Sequence, residues 1–156
     1  MFQKLRKIAF WLILILAITY FVAAYLTKPA QDHPFFSQSN NQTDVIAHRG
    51  GHGLWPGNTL YGFKQAVELG ADILEMDVHS TKDSILFIRH DDSVDLTTNG
   101  KGLVRDFTLK ELKTLDAGYT WTHDEGKTYP YRNKDITIPT VTEVFNALPN
   151  TRMAIE

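Results

Sequence analysis

The apolar positions form one long run and several short ones. Ile8 to Leu26 is apolar except for Thr19, Tyr20 and Tyr25. A helix of that length, at about 1.5 Å per residue, nearly crosses a hydrocarbon layer of about 30 Å. Thr27 to Thr43 has little to bury; its Pro29, Pro34, Ser37, Ser39 and Asn40-Asn41-Gln42 are the composition of a tether. After it the runs shorten. Val45 to Ala47 predicts a strand stopping at His48-Arg49-Gly50-Gly51, and Asn58 predicts the N-cap of a helix striped by Leu60, Phe63, Ala66 and Val67 and ended by Gly70.

Ile73 to Val78 reads as a buried strand. Side chains alternate faces along a strand, so Glu75 and Asp77 point one way and Leu74, Met76 and Val78 the other. The next apolar run, Ile85 to Ile88, follows too soon for a parallel crossover, which needs about a dozen residues, so the connection is a hairpin. With its turn on Lys82-Asp83-Ser84, Thr81 faces Ile85 and His90 comes back beside Met76, one step from Asp77. Two acids and an imidazole then share one end of one strand pair.

Asp92 to Asp106 reads as a loop with an Asn99-Gly100 turn. Thr108 and Glu111 form a capping box for a helix with Leu109, Leu112 and Leu115 inward, closing near Gly118. Tyr119 to Ile138 is polar and aromatic, a loop over the mouth of the fold. Thr140 and Glu143 form a second capping box, for a helix through Val144, Phe145 and Leu148 that ends before Pro149. Met153 to Glu156 then starts another strand. Strand, helix, strand with hairpin, helices and strand amount to about three of the eight strands of a (β/α)8 TIM-type barrel, which takes about 250 residues. The fold class is α/β, and the chain reads as the N-terminal portion of a larger protein. Its parts are a membrane anchor or signal over 1–27, a polar linker over 28–44 and part of a barrel over 45–156.

Charge refines the first segment. Lys4, Arg6 and Lys7 precede the long apolar run and Lys28 alone follows closely, which favours a cytoplasmic N-terminus with the rest on the extracytoplasmic side. A cleaved signal peptide, with Val22-Ala23-Ala24 as a weak cleavage site, is the competing reading and delivers the chain to the same side. A net charge of −2 and no basic cluster beyond the first seven residues exclude a nucleic-acid surface. The absence of cysteine excludes disulfides, thiolate zinc sites and cysteine nucleophiles.

The candidate chemistry gathers at strand ends, where α/β folds place their sites. Two acids on a buried strand are costly without a cation, and an all-oxygen cluster suits Mg2+ or Ca2+. Arg49 suits a bidentate contact to phosphate, or else an ion pair with Asp72 or Glu75. His79 reads as structural, and His33, His52 and His123 as surface or loop residues. Trp55, Tyr119 and Trp121 either line a pocket mouth or pack on the core.

With these residues in order, Val45 to Glu156 resembles the first part of a glycerophosphodiester phosphodiesterase. The matching pieces are His48-Arg49-Gly50, Asn58-Thr59 before a helix, Gly70-Ala71-Asp72, Glu75-x-Asp77, Thr81-Lys82-Asp83, His90-Asp91, Thr97-Thr98-Asn99-Gly100-x-Gly102, and Ile138-Pro139-Thr140 with Glu143. The resemblance implies that His48 and His90 are general acid and base and that Arg49 holds the phosphate, with Asn58 a further substrate contact. It also implies that Glu75, Asp77 and Glu156 ligate one divalent cation, Mg2+ or Ca2+. The implied reaction is hydrolysis of a glycerophosphodiester, or a lysophospholipid-like diester, to sn-glycerol 3-phosphate and an alcohol. One departure stands out: the family's Glu-Asn-Thr is Gly57-Asn58-Thr59 here. Two other readings remain: a membrane-tethered binding module without catalysis, and a phospholipase D-type diesterase on the same barrel. The 156 residues alone are expected to be nearly inactive.

Overall fold

The computed structural model describes residues 2–28, 31–38 and 43–156. They fall into two units, 1–40 and 41–156. In the first, helix α1 (Phe2–Leu26) has no buried residue. It is long and apolar enough to cross a membrane. The predicted tether holds one turn of helix, α2 (Pro34–Ser37), whose first free N–H is accepted by the His33 ring. The rest of that prediction, at residues 29–30 and 39–42, lies outside the described residues.

The second unit is built on a parallel sheet of three strands. Strand β1 (Ile46–Ala47) leads through a 3-10 turn (His48–Gly50) and helix α3 (Leu60–Leu69) to β2 (Ile73–Met76). The predicted six-residue strand breaks at Asp77, and the chain resumes as β3 (Val78–Ser80), paired antiparallel with β4 (Leu86–Ile88). After α4 (Leu109–Leu112) and α5 (Val141–Ala147), strand β5 (Arg152–Ile155) joins the far side of β2, giving the order β1-β2-β5. Parallel strands linked by helices are the start of a TIM-type barrel.

Alternation explains the packing. Leu74 and Met76 are fully buried with Phe63 and Ala66 of α3, Val144 of α5 and Ile88 of β4, which leaves Glu75 on the opposite face of β2. A second core of Phe87, Val94, Val104, Leu112, Ile136 and Ile138 supports the hairpin and the long loops. The hairpin takes the predicted register: Val78 faces Ile88, and the Thr81 N–H donates to the Ile85 carbonyl.

Two expectations change, and one residue of a predicted helix faces out. Helix α3 is capped by Thr59, whose hydroxyl accepts from Gly62 N–H, because Asn58 is left-handed (φ 53) and turns its side chain elsewhere. Helix α4 stops at Leu112 rather than near Gly118, although Leu112 and Leu115 do pack inward. Phe145 is outside the core, since it follows the buried Val144 by about 100° around α5.

Both predicted capping boxes form. At α5 the Thr140 hydroxyl accepts from Glu143 N–H (3.1 Å) and the Glu143 carboxylate accepts from Thr140 N–H (2.7 Å). Partial burial pushes the Glu143 carboxyl up, but the Lys113 ammonium and the Thr140 N–H outweigh it and hold the carboxyl below its ordinary 4.5. A depressed acid stabilises the fold above its unfolded value, and that contribution fades as pH falls below 4.5 through the folded one. Thr140→Ala is expected to cost about 1 kcal/mol in urea unfolding at neutral pH, with a smaller difference from the parent in acid.

Candidate active site

The turn after β1 sets the site. Arg49 adopts φ 51, ψ 34, and Gly50 follows at φ 69. A side chain at Gly50 would also put its Cβ 2.4 Å from the Phe63 ring, so steric room and dihedral both require glycine. This geometry aims the Arg49 N–H at Glu75 Oε2 (2.5 Å), while the Arg49 carbonyl accepts from Asn58 N–H (2.8 Å). The Asn58 side-chain amide in turn donates to Asp77 Oδ2 (2.8 Å). Arg49 Nε lies 3.6 Å from the same oxygen, an ion-pair distance without a hydrogen bond.

Glu75, Asp77 and Glu156 each bring one carboxylate oxygen to within 4.8 Å of the others. Glu75 is buried, Asp77 half-buried and Glu156 exposed. Glu156 is nonetheless held, as its N–H donates to the Met76 carbonyl (3.0 Å) and its carbonyl accepts from Val78 N–H (2.9 Å). Like charges this close repel unless a cation or proton lies among them. Beside them, Arg49 Nε and Asn58 Oδ1 are buried polar atoms with no hydrogen-bond partner among the described residues, and such orphans point to a ligand site. All-oxygen donors around a small space fit a hard divalent cation.

Arg49 and Asn58 share a cavity of about 140 Å³ with His52, Arg89, His90 and Trp121. His90 stands at its wall with 44% of its side chain exposed, and its Nδ1 lies 2.9 Å from Asp91 Oδ1. That carboxylate fixes the ring's orientation and leaves Nε2 for chemistry. The Asp77 carbonyl accepts from Arg89 N–H (2.8 Å), so the hairpin register continues to the residue before His90. His48 lies apart from this cavity, lining the neighbouring hollow beside β1, with its ring against His52. His79 is structural in its contacts, as its Nε2 meets the His90 carbonyl at 3.1 Å.

Sequence reasoning did not single out Asp91, Arg89 or His52, whereas Trp121 takes the first of its two expected places, at the pocket. Asp91 was legible only as the residue after His90. Arg89 is buried to 4% exposure; its guanidinium donates to the Asp91 carbonyl (3.2 Å), the Ser93 carbonyl (2.8 Å) and the Thr97 hydroxyl (2.6 Å). Burial pulls its pKa down, against the pull of Asp91 and Asp95. Trp121 lines the cavity and donates its indole N–H to the His52 carbonyl (3.0 Å). His52 is a wall residue rather than a bystander on the surface. Trp55 packs on the core, and Tyr119 stacks on the Arg132 guanidinium (4.2 Å).

Residues 48–156 match the model of the glycerophosphoryl diester phosphodiesterase family. A glycerophosphodiester phosphodiesterase of Caldanaerobacter subterraneus is 49% identical over 107 residues, which is 69% of this chain and 41% of that protein. A phosphodiesterase from Oleispira antarctica, solved in complex with the product sn-glycerol-3-phosphate, superposes with a TM-score of 0.64 at 36% identity, covering 78% of this chain and 45% of that one. A glycerophosphoryl diester phosphodiesterase domain from Mycobacterium tuberculosis superposes with a TM-score of 0.70 at 27% identity, covering 74% of this chain and 43% of that one. The chain therefore spans less than half the length of each.

Proposed function

Since the chain belongs to the glycerophosphoryl diester phosphodiesterase family, we propose that the protein carrying it hydrolyses glycerophosphodiesters to sn-glycerol 3-phosphate and an alcohol. The observation that carries this reading is the trio of carboxylates next to an unbonded buried guanidinium nitrogen and an unbonded amide oxygen. Phosphodiester hydrolysis needs a place for a cation, a grip on the phosphate and groups that move protons.

In this reading Glu75, Asp77 and Glu156 hold one divalent cation, Mg2+ or Ca2+, which when bound offsets phosphoryl charge. Arg49 donates to a non-bridging phosphate oxygen, and Asn58 Oδ1 accepts from a substrate hydroxyl. Its amide meanwhile keeps Asp77 in place. One of His48 and His90 takes a proton from the attacking water. The other gives one to the alcohol oxygen as the P–O bond breaks. The His90 bond to Asp91 holds that ring's orientation throughout. Supporting a membrane setting, α1 carries the apolar run Ile8 to Leu26 directly after Lys4, Arg6 and Lys7 in its first turns, which favours the site facing the extracytoplasmic side. Lysophospholipid-like diesters then join soluble ones as candidate substrates.

The test is hydrolysis of glycerophosphocholine by the full-length gene product, followed as release of glycerol phosphate, with and without chelator. Turnover abolished by chelator and restored by Mg2+ or Ca2+ is the expected result. A folded, metal-loaded protein that releases no glycerol phosphate from any glycerophosphodiester overturns the reading.

A further inference from the structure

We propose that His52 is a positioning residue for His48, and that position 57 is glycine in this chain because the His52 side chain stands over it. The inference rests on the reading of His48 as a proton-transfer group. Among the described residues the His48 ring makes no hydrogen bond, whereas His90 has Asp91. What the His48 ring does touch is the ring of His52, with centroids 4.7 Å apart and planes at 88°. An edge-to-face contact of this kind restricts a neighbouring ring's rotation and is favoured by the quadrupoles of the two rings. A proton-transfer imidazole needs such an orienter, because it acts only when one nitrogen is aimed at the reacting atom.

His52 is itself fixed from several sides. Its N–H donates to the His48 carbonyl (3.3 Å), and its own carbonyl accepts from the Trp121 indole (3.0 Å). A Cβ built on Gly57 would lie 2.5 Å from the His52 Cβ and 3.2 Å from the Arg49 carbonyl oxygen. Any larger residue there must push His52 aside or shift the Arg49 backbone, which places both the His48 contact and the Glu75 contact. The departure from the family's Glu-Asn-Thr pattern thus has a steric reason in this chain. His52 also lines both the cavity that holds Arg49 and His90 and the hollow beside His48, so a change at His52 reaches the surroundings of both histidines.

The contact is tested first without activity, on the chain in detergent micelles. Gly57→Ala is expected to lower Tm by about 4 °C, and by clearly less in a His52→Gly background. Equal losses in both backgrounds overturn the interlock. In NMR spectra His52→Ala is expected to move the His48 ring resonances and His52→Phe to move them much less; His48 resonances unmoved by His52→Ala overturn the positioning role. In the full-length protein His52→Ala is expected to lower kcat about tenfold with KM nearly constant, and His52→Phe to recover most of it. Loss in KM alone, or recovery with His52→Gln and not His52→Phe, overturns it as well. An inactive parent protein would instead count against the role given to His48, leaving the thermal and spectroscopic results to decide the contact.

Discussion

Asp77→Asn in the full-length protein is expected to lower glycerophosphodiester turnover about a thousandfold and to abolish tight divalent-cation binding. Asp77 joins three functions in one carboxylate: its Oδ2 accepts from the Asn58 amide (2.8 Å), it lies 3.6 Å from Arg49 Nε, and it belongs to the trio within 4.8 Å. Asparagine has one carbonyl oxygen and no charge. If that oxygen accepts from Asn58 it is lost to the cation, and if it faces the cation Asn58 is released. A cation supplies several kcal/mol of charge stabilisation, and about 1.4 kcal/mol is a factor of ten in rate. The fold is expected to stand, because the Asp77 backbone carbonyl keeps its bond from Arg89 N–H in the variant. Asp72→Asn is the control. That carboxylate accepts from Val45 N–H (2.8 Å) and is outside the trio, so cation binding should survive. Calorimetric titration with Mn2+ checks both variants. Metal-dependent turnover of Asp77→Asn within about tenfold of the parent would show that the trio is not the cation site.

How much of this was legible in advance follows from which interactions are local. The two capping boxes, the Gly70 stop and the hairpin register depend on residues a few positions apart, and all appear as read. The common direction of Glu75 and Asp77 comes from alternation alone, and their oxygens do approach each other. What period-two reading misses is the break at Asp77, where β2 leaves the parallel sheet and β3 enters the hairpin. A strand that changes partners looks continuous in sequence. Asn58 was misread for a related reason: both Asn58 and Thr59 are good caps, and the choice was made by Asp77, nineteen residues away, which draws the Asn58 amide toward it. His52 meets Trp121 through a contact across 69 residues, and His52 carries no local signal of it. The resemblance named the acids and the histidines, but it carried no sign that His52 lines both the hollow beside His48 and the cavity beside His90.

His90→Ala is expected to lower turnover about a thousandfold, within the range of about 10² to 10⁴ for positioned proton transfer, while leaving thermal stability nearly unchanged. The two halves of that expectation come from the same geometry. The His90 side chain is 44% exposed and among the described residues its ring bonds only to the adjacent Asp91, so its removal opens no core cavity and strands no buried partner. The backbone on either side stays tied down: Ile88 N–H donates to the Pro139 carbonyl and Arg89 N–H to the Asp77 carbonyl, each at 2.8 Å. A large rate loss with an unchanged melting curve therefore isolates chemistry from folding. Asp91→Asn should fall between. The amide oxygen can still accept from Nδ1–H, which keeps the ring's orientation, but it no longer stabilises the imidazolium that forms when His90 holds a proton. A loss of about tenfold, carried by kcat rather than KM, is the expected outcome. His90→Ala with turnover within tenfold of the parent would remove His90 from the proton-transfer pair, and the partner of His48 would then have to be sought among the other groups of the site.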